Sequence, residues 1–210
     1  MKFARGYDII KYIAYFGGIF LQDYIYVIVA QTGTNVAKAI KFFTRKPYNH
    51  VSLSGDIGLS EMYSFCRNYP RTPLPATFNK EVIGEGTLGL YDNIPCEIYR
   101  INVTQEQKRD FYRIMEHFST FRNAYSYNIL GLIAIFLKIS WTRKNRFLCS
   151  QFVAHTFYKL GLELSKSPCL YTPDDFRFLP NAELIYKGEL NRWYFEESHV
   201  ISEDSELIYH

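Results

Sequence analysis

The chain is poor in the residue patterns that build metal and redox centres. Its four cysteines, at 66, 96, 149 and 169, form no Cys-x-x-Cys pair and no Cys/His cluster, so a zinc site of ordinary spacing is not expected. No other metal and no cofactor is expected either. Charge of one sign is scarce: the net charge is +3, with no dense Lys/Arg stripe, which argues against nucleic acid as a partner. Long apolar runs are missing as well. Residues 9–30 come nearest, but Lys11, Gln22 and Asp23 interrupt them and Gly17-Gly18 splits them, short of the roughly 20 residues that cross a bilayer. No small-residue cleavage site follows a clean apolar core, so a cytoplasmic chain with reduced thiols is the expectation.

What the chain has is apolar and aromatic. At 210 residues and 48% hydrophobic, with 18 Tyr and 17 Phe, it can bury the core of one medium domain. The expected layout is a single domain over 1–210, with an aromatic arm at 1–23 and an acidic tail at 196–210. Tyrosine suits half-buried surfaces and ligand grooves.

Periodicity then sets the elements. A short aromatic helix or arm (9–20) precedes a buried strand at Tyr24–Ala30, and Asn35 to Phe43 reads as a helix. Tyr48-Asn-His-Val-Ser-Leu-Ser-Gly55 alternates, with Val51 and Leu53 on one face and His50, Ser52 and Ser54 on the other. The return strand, Leu59 to Phe65, then places His50 on the face of Ser60, Met62 and Ser64. A slip of one residue would bring Glu61 beside His50 but bury charge. Residues 67–93 are rich in Pro and Gly and read as loop. Gly84-Glu-Gly-Thr-Leu-Gly89 matches a dinucleotide fingerprint in form only, because no helix opens at its last glycine.

Ile94–Val103 is a third strand, and Thr104 with Gln107 forms a capping box for a helix ending near Thr120. Tyr127 to Ile139 is an apolar helix. Glu183–Lys187 and Arg192–Phe195 close the chain as strands, and the acids of Tyr171-Thr-Pro-Asp-Asp-Phe176 cap a helix start.

The chemistry centres on Arg146-Phe-Leu-Cys-Ser-Gln-Phe-Val-Ala-His155. Phe147, Leu148, Phe152, Val153, Phe157 and Leu160 recur at helical spacing and Gly161 stops the run, which puts Cys149 in a first helical turn. Unpaired N–H groups and the positive end of the helix dipole favour a thiolate there, and the same N–H groups can bind an oxyanion. The plain alternative is a cysteine serving as a small buried hydrophobe. A cysteine nucleophile needs an imidazole in reach, and His50 on its small polar face is the candidate.

These stretches resemble a known family. Tyr48-Asn-His-Val-Ser-Leu-Ser54, Met62-Tyr-Ser-Phe65 and Leu148-Cys-Ser-Gln-Phe-Val-Ala154 are similar to the circularly permuted NlpC/P60 papain-like superfamily, nearest its YiiX-like bacterial branch. Tyr125-Ser-Tyr-Asn128 and Thr172-Pro-Asp-Asp-Phe176 resemble motifs flanking the cysteine there. The resemblance covers roughly residues 24–190 and implies an α+β fold in which an antiparallel sheet packs on helices. The histidine strand precedes the nucleophile helix, the reverse of papain's order.

The resemblance implies Cys149 as nucleophile and His50 as base. The third member falls near Ser64, a departure from the His, Asn or Glu of relatives, with Glu61 and Glu81 (from the loop) as rivals. Tyr127 and Tyr48 are the candidate substrate-binding residues, Tyr127 near the oxyanion. The implied activity is thiol-dependent amide hydrolysis on a small peptide or amide. Two alternatives stay open. One is lipid acyl transfer of the lecithin:retinol acyltransferase type, with peripheral membrane contact through the aromatic arm and the 127–139 helix. The other is a non-catalytic binding module on the same scaffold.

Overall fold

A run of strand-forming residues, Tyr24-Ile-Tyr-Val-Ile-Val-Ala30, lies at the centre of the molecule. The computed structural model describes residues 22–33 and 46–193, with Phe136 described by its backbone alone. The expected arm (9–20), the helix at 35–43 and the acidic tail from 196 lie outside these residues. Along the described chain run β1 (Asp23–Ala30), β2 (His50–Ser54), β3 (Met62–Arg67), β4 (Ala76–Glu81) and β5 (Pro95–Val103). Then follow α1 (Gln105–Thr120), β6 (Ser126–Tyr127), α2 (Ile129–Phe136), β7 (Arg146–Phe147), α3 (Cys149–Lys159) and β8 (Ala182–Glu189).

Six strands form one antiparallel sheet in the order β4-β3-β2-β1-β5-β8, and β6 pairs with β7 in parallel beside it. The architecture is α+β, as the patterning implies. Because the side-chain period of a strand is two, β1 feeds both faces. Ile25, Val27 and Val29 enter a core shared with α1 and α3, while Tyr26, Ile28 and Ala30 join a second core with Ile83, Leu88 and Leu190. Burial on both sides accounts for a run without polar alternation.

Helix α1 begins as expected: the Thr104 hydroxyl accepts from Gln107 N–H and the Gln107 side chain accepts from Thr104 N–H. Its stripe of Phe111, Met115 and Phe118 is buried against the sheet. Helix α3 ends at Gly161, whose φ of 69° lets the Leu162 N–H return to the Phe157 carbonyl at 3.0 Å.

Four expectations are corrected. Strand β3 starts at Met62, not Leu59, which sits in the turn at a φ of 51° and packs into the second core. The stretch expected as loop contains β4, whose inward Phe78 is flanked by polar Thr77 and Asn79. Helix α2 is shorter than 127–139, because Tyr127 is in a strand and the Asn128 side chain accepts from Gly131 N–H to start the helix. Residues 190–193 make a helical turn where a strand was expected at Arg192–Phe195; residues 194 and 195 are outside the described chain. Among the described residues no helix is long and apolar enough to cross a membrane.

Candidate active site

The register of β2 on β3 follows the hydrophobic pattern: Leu53 lies opposite Tyr63 and Ser54 opposite Met62. At the head of β2, buried Asn49 fixes the chain. Its Oδ1 accepts from the Thr32 N–H and hydroxyl, both at 3.0 Å, and its Nδ2 donates to the Thr32 carbonyl at 3.2 Å. His50 is therefore held at a strand end tied to the end of β1.

Cys149 is the first residue of α3, after Leu148 in extended conformation, and is buried. The turn before it is held by Gln151, three residues past Leu148. Gln151 Oε1 accepts from Leu148 N–H at 3.1 Å and from Asn128 Nδ2 at 3.0 Å, while its Nε2 donates to the Cys169 carbonyl at 3.0 Å. One side chain thus joins the starts of α2 and α3. First-turn N–H groups have no partner within a helix, so the position suits an oxyanion as expected from the sequence.

Between these elements lies a hydrogen-bonded cluster. His50 Nε2 is 2.9 and 3.1 Å from the two oxygens of Glu81, at the end of β4. The Ser52 hydroxyl donates to Glu81 at 2.6 Å and lies 3.2 Å from His50 Nε2. The Cys66 thiol also hydrogen-bonds Glu81. The His50 ring also hydrogen-bonds Cys149. Burial alone would depress the imidazole. The Glu81 charge, with the hydrogen bonds to Cys149 and Glu81, outweighs burial and raises His50 to about 10. Burial likewise pushes Glu81 up, but His50, Ser52 and Cys66 hold it below the usual carboxylate range. Burial first, then the neighbouring Glu81 charge, raises the Cys66 thiol well above its ordinary range.

Of the three candidates for third member, Glu81 is the one the fold brings to the imidazole, and it lies on a strand rather than in a loop. Ser64 does share the polar face expected of it, but its hydroxyl donates to the Val51 carbonyl at 2.8 Å, a backbone tie away from the imidazole. Glu61 is turned to solvent, paired with Lys80 at 2.6 Å. Tyr127 lines the cleft with Cys149, and burial, then the Cys149 sulfur, drives its phenol upward so that it stays a donor. Tyr48 lines a smaller adjoining pocket that also reaches Cys149. Burial and Glu97 raise its phenol, and the Arg177 guanidinium stacks 5.3 Å from its ring centre.

Sequence reasoning missed Ser52 as a partner, Cys66, Gln151 and Asn128. The alternation of β2 already placed Ser52 on the His50 face, and Gln151 and Asn128 lie within the stretches that carry the resemblance; nothing local marked Cys66.

The cluster opens on a cleft of about 310 Å³ whose walls include Phe65, Leu74, Tyr127, Ile129 and Leu132. It is an apolar chamber with a thiol and a charged imidazole in its wall. Among the described residues no group of three or more His, Cys, Asp or Glu is placed to hold a metal. No protein-family model matches the chain, and no curated protein matches it in a sequence comparison.

Proposed function

We propose that the chain is a thiol hydrolase of amide or ester bonds, on a circularly permuted papain-like fold, working through an acyl-enzyme. The observation that carries this is the His50 imidazole bridged between the Glu81 carboxylate and Cys149 at a helix start. In this reading the His50–Glu81 pair holds the imidazolium against a Cys149 thiolate. The sulfur adds to the substrate carbonyl, and the resulting oxyanion is met by first-turn N–H groups of α3 and the Tyr127 hydroxyl. His50 gives its proton to the leaving nitrogen or oxygen as the carbonyl re-forms, leaving a thioester. Water, deprotonated by His50, then releases the acid and restores the thiol. Glu81 beside His50 supports the catalytic reading over the non-catalytic binding module.

Treatment with p-nitrophenyl hexanoate tests it. The expected result is a burst approaching one nitrophenolate per chain and a hexanoyl mass gain mapped to Cys149. Cys149→Ala should show neither. An equal burst from Cys149→Ala would overturn the assignment.

One observation favours bilayer-borne acyl groups as substrates for the same chemistry. Ile129, Leu130, Ile133 and Leu137 on and after α2 are exposed, as are Ile139 and Trp141. From 117 to 162 there is no Asp or Glu, while Arg122, Lys138, Arg143, Lys144, Arg146 and Lys159 are basic. Such a surface suits an anionic membrane. Co-sedimentation with phosphatidylglycerol vesicles, lost in Ile133→Asp/Leu137→Asp, is expected. Binding kept in that variant and lost in Phe16→Asp/Phe20→Asp would assign the contact to the arm instead.

A further inference from the structure

The cleft wall holds a cation that the thiol chemistry does not use. Arg67 is the last residue of β3, directly after Cys66, and it lines the same cleft as Cys149, His50 and Tyr127. Its Nη2 is buried and has no hydrogen-bond partner. Buried guanidinium nitrogens are almost always paired, since stripping water from such a donor without replacement is unfavourable. Among the described residues lining this cleft the only acid is Glu81, and its oxygens are taken by His50, Ser52 and Cys66. Among the described residues no ion pair reaches Arg67. The fold thus leaves a donor unpaired on a partly buried residue that lines both this apolar cleft and an adjoining polar pocket with Asn68, Lys80 and Glu85.

We propose that Arg67 is the anion-recognition group of this cleft and receives a carboxylate carried by the substrate. The guanidinium presents parallel N–H donors that match a carboxylate edge-on, and in a chamber walled by Phe65, Leu74 and Ile129 the pairing would be poorly screened. The apolar walls take the remainder of the molecule. The substrate class is therefore an acyl compound with an apolar body and a free carboxylate, of which N-acyl amino acids are the simplest examples. This assignment of substrate rests on the thiol-hydrolase reading, whereas anion binding by Arg67 does not.

The test separates the two by using Cys149→Ala protein, in which binding is measured without turnover. N-Hexanoylglycine and N-hexanoylglycinamide are titrated calorimetrically; they differ only in the carboxylate. The acid is expected to bind about tenfold or more tightly than the amide. Adding Arg67→Met should bring the acid down to the affinity of the amide, while Arg67→Lys retains part of the preference. A structural role for Arg67 would lower the melting temperature in Arg67→Met; an unpaired anion receptor predicts a melting temperature unchanged or raised. Equal affinities for acid and amide, binding of neither, or a preference that survives Arg67→Met would overturn the proposal. Each of these outcomes would leave the thiol reading to be judged by adduct formation at Cys149.

Discussion

Glu81→Ala is expected to destabilise the protein and to quench the thiol at once. Glu81 and His50 are 7% and 12% exposed, so removal of the carboxylate strands a largely buried imidazolium. Breaking a buried pair on one side costs about 3–5 kcal/mol when the remaining charge must stay. Imidazole can shed its proton instead, which places the expected loss nearer about 2–3 kcal/mol, or a fall in melting temperature of about 4–12 °C. Alkylation of Cys149 near neutral pH should fall as well, because the imidazolium is no longer held. Ser64→Ala provides the contrast. It removes one buried hydroxyl-to-carbonyl bond, costing about 1 kcal/mol, and should leave Cys149 reactivity intact.

The same pair gives a pH signature with a definite sign. His50 is raised in the fold from 6.5 to about 10, so its contribution is complete below about pH 6.5 and is lost as pH rises towards 10. Glu81 is lowered from 4.5, so its contribution is present above about 4.5 and is lost as pH falls below that. The stability gap between wild type and Glu81→Ala should therefore be widest at about pH 5–6.5 and close on both sides. Chemical denaturation across this range measures it; a gap that widens steadily up to pH 10 would contradict the assignment.

Phe65→Ala should have the larger effect on stability. Phe65 is 1% exposed and lies 5.2, 5.5 and 5.8 Å, ring to ring, from Phe147, Phe152 and Phe118. Deleting a buried phenyl in such a cluster costs about 3–5 kcal/mol, roughly a 6–20 °C fall in melting temperature for a chain of this size. The ring is also a wall of the cleft and packs on α3 through Phe152. The variant is thus expected to slow Cys149 alkylation while touching neither Cys149 nor His50. A loss of stability below about 1 kcal/mol would show that the aromatic cluster repacks freely.

The placement of Cys149 at a helix start and of His50 on a strand was legible in the sequence because each lies in a strongly periodic element, one helical and one alternating. Glu81 was reached only as a rival and as a loop residue, because β4 is a polar edge strand directly after Pro75 and its sequence, Ala-Thr-Phe-Asn-Lys-Glu, has one large apolar residue. Ser64 does not reach the imidazole for a different reason. Hairpin parity places residues on a face, but it does not say which partner a hydroxyl prefers, and the Val51 carbonyl across the hairpin lay closer to hand. Parity within two strands also cannot show what a third strand delivers. The turn at 55–61 misled in a smaller way, since Leu59 looks like a strand residue and occupies a left-handed turn position instead.

In the proposed mechanism His50, charged by Glu81, activates Cys149. The most direct test is the pH dependence of iodoacetamide alkylation in wild type and His50→Ala, read peptide by peptide. Site resolution matters, because burial raises the Cys169 thiol but hydrogen bonds from Ser140, Ser167 and Thr142 outweigh it and leave it lowered. The expected result is rapid labelling of Cys149 at neutral pH, slowed about tenfold or more in His50→Ala, with Cys169 unaffected. Slow labelling of Cys149 with the same pH profile in both proteins would contradict it and leave the cleft as a binding site alone.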